Sequence, residues 1–276
     1  MKIAYGTYAT PMMPLEDSLR MMANIGYEGV EIAISPKHIM PESFASSQRN
    51  QLKNVLEELN FVVPGFLVLG GALSGDEDTH RKRLRLIGQV IELAKDIGAR
   101  PVISTGSGGN TAGWDTQKNN LVHALEDYAN IASKEGAIIA VEPHVHAMVD
   151  RSERALWLLK TMDSPCVRLH FDIVHLFLAR EPIRETVQKL VPYTAHTHIT
   201  DAKIADSGFE FVLLGTGELD CAEYMRAMKD AGWDDFITIE VSAMVWSKEG
   251  YDPVAAAELS YETISNAFEA ACVTRG

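Results

Sequence analysis

Positive charge is scarce in this 276-residue chain: 25 lysines and arginines face 38 aspartates and glutamates, a formal net charge of −13. A nucleic-acid surface needs a concentrated basic face, so no nucleic-acid partner is expected. Cysteine is scarce too. Cys166, Cys221 and Cys272 contain no CxxC pair and cannot all pair with one another, which argues for a reducing compartment and a cytoplasmic protein. Long apolar runs are missing: none approaches the roughly 18 to 20 residues of a membrane span. The opening MKIAYGTYAT lacks the apolar core of a secretory signal and reads directly as a strand. A soluble, intracellular chain with no membrane partner is the expectation.

What the chain has is alternation. Short β-rich runs at 2–6, 28–34, 61–69, 100–105, 137–142, 166–172, 194–200 and 236–241 are separated by helical patterns. The helices are expected near 14–25, 47–59, 77–97, 116–135, 151–162, 182–191, 220–231 and 253–272. Gly26, Gly98, Gly136 and Gly232 each follow a helical run and precede a strand, as short helix-to-strand loops require. Eight such units predict an α/β fold of the (β/α)8 TIM-barrel kind, a single domain over 1–276. A doubly wound open sheet would give the same alternation. In a barrel, the longer segments 35–46, 106–115, 201–219 and 242–252 follow strands and build the catalytic face.

Four apolar runs close on a potential metal ligand: Glu142 after AIIAV, Asp172 after CVRLHF, His198 in TAHTHIT and Glu240 after FITI. Three carboxylates and an imidazole make a mixed oxygen and nitrogen set suited to one divalent cation. Manganese is the expected ion, with magnesium, cobalt or zinc as alternatives. Strand periodicity adds histidines to the same faces: His144 and His146 with Glu142, His170 with Asp172, His196 with His198. A lone histidine is more often an ordinary core or surface residue. Clustered ionisable groups in an apolar interior are costly unless paired or bound to metal.

In order along the chain, GYEGVEIAI (26–34), VEPHVH (141–146), FDIVH (171–175), HTHITDAK (196–203), GTGELD (215–220) and ITIEVS (237–242) resemble the xylose-isomerase-like superfamily. That superfamily holds sugar isomerases, epimerases and dehydratases, and zinc-dependent AP endonucleases. The resemblance implies metal ligation by Glu142, Asp172, His198 and Glu240, and substrate contact by His175. In the ketose 3-epimerases it implies that Glu142 and Glu240 are also the acid/base pair, moving a proton through an enediolate. Two positions depart from that pattern. Met148 stands where the epimerases carry a second glutamate, and Lys203 is the only cation just beyond the histidine ligand.

The expected function is therefore a divalent-metal-dependent isomerase or epimerase acting on a small keto sugar. The alternative is a lyase or dehydratase on a keto sugar, inosose or 3-oxo-glycoside, with His144 as base, as the resemblance to inosose and dehydroshikimate dehydratases and C-glycoside deglycosidases around EPH implies. A non-catalytic sugar-binding barrel is a third reading. Lys203, His146, Trp114 and Trp246 complete the expected substrate contacts, with a homo-oligomer or a small accessory subunit as open possibilities. The endonuclease reading fails for want of histidines in 65–71 and 102–109. The glycine-rich 104–110 and GTGELD are candidate phosphate cradles, but neither holds an arginine.

Overall fold

The computed structural model describes residues 1–206 and 208–275. Eight parallel strands close a barrel: β1 (Lys2–Gly6), β2 (Gly29–Ile34), β3 (Phe66–Leu73), β4 (Val102–Gly108), β5 (Ile138–Glu142), β6 (Val167–Asp172), β7 (Thr194–Ile199) and, later in the chain, β10 (Phe236–Ile239). Around the barrel the order is β1, β10, β7, β6, β5, β4, β3, β2. The expected TIM barrel is therefore present, and the open-sheet alternative falls because β1 pairs with both β2 and β10.

The outer layer comprises α1 (Leu15–Ile25), α2 (Ser46–Glu58), α3 (Glu77–Asp96), α4 (Trp114–Glu135), α5 (Ser152–Met162), α7 (Ile183–Leu190), α8 (Cys221–Asp230) and α10 (Pro253–Ala270). Each buries one apolar stripe against the strands. In α3 it is Ile87, Val90, Ile91, Leu93 and Ala94. Gly26 and Gly136 end α1 and α4 in the left-handed conformation, at φ +114° and +65°, which glycine adopts at little cost. No helix among the described residues is long and apolar enough to cross a membrane.

Besides short 3-10 turns, two short helices and a hairpin lie outside the expected alternation among the described residues, following strands at their C-terminal ends. The one-turn helices α6 (Ile173–Leu178) and α9 (Ala243–Trp246) follow β6 and β10. Segment 201–219, expected as a loop, contains an antiparallel hairpin of β8 (Asp201–Ala205) and β9 (Gly208–Val212). The third strand also starts later than its β-rich sequence suggests. Val62 makes only an isolated bridge to Gly29, and β3 runs on through Gly70 and Gly71 to Leu73.

That extension needs glycine. A Cβ on Gly71 would lie 2.1 Å from the Gly108 Cα of β4, closer than any packed pair of carbons. Gly71→Ala is expected to cost about 1–3 kcal/mol by forcing β3 and β4 apart. Gly75→Ala, where nothing lies within 4 Å of the new Cβ, should stay within about 0.5 kcal/mol of the parent. Urea denaturation of the two variants checks this; equal stabilities would refute the close-approach explanation.

Candidate metal centre and active site

The four strand ends singled out in the sequence converge. One ligand atom from each of Glu142, Asp172, His198 and Glu240 lies within 4.8 Å of every other. Glu142, Asp172 and His198 lie on β5, β6 and β7 and Glu240 directly follows β10, four consecutive neighbours around the barrel. His198 Nδ1 is 3.4 Å from Glu240 Oε2 and 3.9 Å from Glu142 Oε1. Asp172 ends its strand and caps α6: Oδ1 accepts the Val174 N–H at 3.0 Å, which leaves Oδ2 free.

The donor set fits a divalent cation. Asp172 Oδ2 and His198 Nδ1 are buried without a hydrogen-bond partner among the described protein groups, and both belong to the converging set. Without a cation, burial holds protons on the cluster. It pushes the Asp172 carboxyl up to about 7. Burial, together with the nearby Glu240, raises Glu142 well above the usual carboxylate range. A dication between them would remove that repulsion.

Behind His198 lies Glu31, part of the GYEGVEIAI run and given no role by the sequence. It lies within the fully buried β2 and has no solvent exposure. Its carboxylate accepts from His198 Nε2 at 2.9 Å and from His196 Nε2 at 2.7 Å. A carboxylate can only accept, so His198 carries its proton on Nε2 and presents Nδ1 to the cluster. Burial alone would raise the Glu31 carboxyl. The charge of His198 and the two histidine hydrogen bonds outweigh it and hold the group below its usual range. For His198 burial acts downwards, but Glu31 and Glu240 lift the imidazole well above its ordinary value. His170 completes this interior layer, hydrogen-bonded through Nδ1 to Ser104 Oγ.

Above the cluster opens a cavity of about 380 Å³. Glu142 and Glu240 reach it with side chains 13% and 16% exposed, whereas those of Asp172 and His198 are fully covered. His175, one turn into α6, points back at the centre, with Nε2 3.7 Å from Asp172 Oδ2 and 3.9 Å from Glu142 Oε1. His144 also lines the cavity, its ring centroid 3.9 Å from that of His175. Its Nδ1 lies 2.6 Å from the Val145 carbonyl oxygen, so Nδ1–H donates and Nε2 keeps a free lone pair. Tyr8, just past β1, and Phe211 of β9 line the same space. Sequence reasoning missed both. Tyr8 was read as part of an ordinary first strand, and Phe211 as loop.

Four expected contacts lie elsewhere. Lys203 is exposed on the face of the hairpin opposite Phe211, because paired strands alternate their side chains and Lys203 stands opposite Glu210. His146 shares no face with Glu142. The strand ends at Glu142, the chain turns, and His146 sits exposed at φ +70° against Phe209. Trp114 starts α4 and is buried edge-to-face on Trp157 at 5.1 Å, with Arg154 over its ring. Trp246 backs Tyr8 at 5.3 Å rather than lining the cavity itself. GTGELD is no phosphate cradle either. Asp201 takes the N–H groups of Gly215 and Gly217 on Oδ2 and of Ala202 and Leu219 on Oδ1.

A closed parallel barrel with a candidate divalent-cation centre at its C-terminal strand ends is thus the class that fold and site define. The chain belongs to the xylose isomerase-like TIM barrel family, whose model matches residues 19–263. It is 24% identical to fructoselysine 3-epimerase of Shigella flexneri over 256 residues, 88% of this chain and 91% of that one. Among solved structures it is similar to a probable 3-DHS dehydratase, AsbF, of Bacillus anthracis, at TM-score 0.80 and 17% identity over 96% of this chain and 99% of that one. It is also similar to the IOLI protein with a bound zinc atom, at TM-score 0.79 and 20% identity over 98% of each chain.

Two outcomes follow for the centre. Because Asp172 holds its proton up to about 7, ion uptake must displace it, and affinity should rise as pH climbs through that value. Titration calorimetry at pH 6.5 in buffers of differing ionisation heat should register proton release; none would contradict the buried carboxyl. Glu31→Gln should weaken metal binding by about 10- to 100-fold, the usual cost of losing the partner behind a histidine ligand. Competition with a chelator gives the affinity, and ¹⁵N imidazole shifts show whether His198 loses its Nε2–H form. Unchanged affinity and tautomer would remove Glu31 from the site.

Proposed function

We propose that this chain is a divalent-metal-dependent isomerase or epimerase of a small keto sugar, with Glu142 and Glu240 as the proton-transfer pair. The observation that carries this reading is the division of the four ligand groups. Asp172 and His198 are closed off, while Glu142 and Glu240 hold their carboxylates at the cavity floor. Two carboxylates open to one cavity can remove a proton from one face of a substrate and return it to the other. A bound dication would polarise the substrate carbonyl and lower the acidity barrier at the adjacent C–H.

The protein supplies the rest. Without a cation, burial and the nearby Glu240 raise Glu142 above the usual carboxylate range; a bound dication would lower it again, towards the ionised form that a base needs. His175 sits beside both Glu142 and Asp172 and can donate to a substrate oxygen as negative charge develops. Phe211 packs edge-on to His175 at 5.7 Å and excludes water from that side. The relationship to fructoselysine 3-epimerase supports epimerisation, and the zinc-bound relative of like fold supports a divalent centre. Manganese is the ion we favour.

His144 favours a second reading. Its free Nε2 lone pair at the cavity wall suits a base for elimination next to a carbonyl, and the dehydratase of like fold is consistent with it. Incubating metal-loaded protein with ketoses, inososes and 3-oxo-glycosides in D₂O separates the two reactions. Deuterium uptake without loss of a group marks an isomerase or epimerase, and released water or aglycone marks a lyase.

Glu240→Gln should abolish turnover while keeping most of the bound metal, since the amide retains an oxygen ligand but is no base; metal analysis beside the rate assay checks this. For the glutamate pair, His144→Ala keeps about a tenth of the activity or more. For elimination with His144 as base, it falls by about a hundred- to ten-thousand-fold.

A further inference from the structure

A second convergent group lies beneath the first. His170, His196 and His198 each offer one ring nitrogen within 4.8 Å of the others. None is more than 2% exposed, and their ring centroids stand 4.1 to 5.3 Å apart. β6 and β7 carry them, in a register that pairs His170 with His196. Neighbouring strands leave this layer to the imidazoles: a Cβ on Gly65 would come within 3.1 Å of the His196 ring, and Gly6 carries no side chain beside Glu31.

Hydrogen bonds leave this layer incomplete. Ser104 engages His170 Nδ1, but His170 Nε2 is buried without a partner among the described residues. Thr238, opposite His198 in the register of β7 and β10, has its buried Oγ1 likewise unpartnered. Buried polar atoms are otherwise almost always satisfied. Charge points the same way. Glu31 lies 2.9 Å, Glu240 3.4 Å and Glu142 3.9 Å from His198, with Asp172 inside 4.8 Å. One dication balances two of these four carboxylates, and protons or a second ion must balance the rest.

The two groups differ in chemistry. Three carboxylates and one imidazole suit a hard ion such as manganese or magnesium, whereas three imidazoles suit zinc, copper or nickel. We infer that the barrel interior carries a second cation site, selective for a nitrogen-seeking ion such as zinc, formed by His170, His196 and His198 with the Glu31 carboxylate alongside. His170 contributes its unpartnered Nε2. His198 serves both sites, Nδ1 towards the upper group and Nε2 towards the lower. The ion takes the place of the two protons that His196 and His198 donate to Glu31 through Nε2, and these pass to solvent. The His198 ring keeps its orientation, so the lower site is compatible with an ion above it and independent of the reaction performed there.

Titration of the metal-stripped protein by calorimetry, with metal analysis after gel filtration, tests this. Manganese should bind in one equivalent and zinc in two. In ¹⁵N–¹H spectra of the zinc-loaded protein the Nε2-bound proton signals of His196 and His198 should be lost, and the His170 Nε2 resonance should move to the metal-bound range. His170→Leu should weaken one zinc by more than about 100-fold, the upper end for losing a residue that merely supports a ligand, and leave manganese binding at one equivalent. His170→Asn takes its place if the leucine variant fails to fold. Zinc bound in a single equivalent overturns the inference. So does a second zinc that leaves both Nε2 protons in place, or one that binds the His170 variant as tightly as the parent protein.

Discussion

The Glu31 carboxylate, sealed in the barrel interior and shared by two imidazoles, is the interaction on which the centre rests. It joins β2 to β7 across the inside of the barrel, not through the sheet. Removing one partner of such a buried pair strands the other charge, at a typical cost of about 3–5 kcal/mol. The local sequence accommodates it closely: a Cβ on Gly6 would come within 3.3 Å of Glu31 Oε2. The bond fixes which nitrogen of His198 faces the cluster. Without that choice, a cation among the three carboxylates would meet the nitrogen that keeps its proton instead of the one that can shed it.

Charge accumulation then divides the labour. Three carboxylates and an imidazole within 4.8 Å of one another resist common ionisation in the absence of a cation, as the upward displacement of Asp172 and Glu142 shows. With a cation they would become a coordination set whose covered members, Asp172 and His198, hold position. In the function proposed above, the two members open to the cavity are left to exchange protons. On that reading one cluster supplies both a rigid support and a reactive edge, separated by exposure rather than by residue type.

The barrel and the convergence of strand ends were legible because both follow from periodicity. Alternating apolar runs locate the strands, and a polar residue closing such a run has little choice but the C-terminal face. The same periodicity misled just beyond the strands. His146 was assigned by extending β5 past Glu142, where the backbone leaves the extended region. Lys203 was assigned to a loop that is instead a hairpin, whose alternation turns it outward. Trp114 found a partner on α5 that no spacing along α4 reveals. Glu31, remote in sequence from the histidines it holds, needed the closed barrel to bring β2 within reach of β7.

Asp201 also bears on how such a site diversifies. Its carboxylate binds four main-chain N–H groups spread over residues 202–219, so the base of the β8–β9 hairpin is pinned by atoms that every residue type except proline possesses. The side chains carried by that hairpin, Phe209 and Phe211 among them, are therefore under no obligation to hold it in place. They can be exchanged over evolutionary time while the arm keeps its bearing over the cavity. The strand ends, whose chemistry depends on particular carboxylates and imidazoles, have no such freedom. The molecule thus separates a chemically constrained engine from an interchangeable handle, and one buried aspartate makes the separation mechanical.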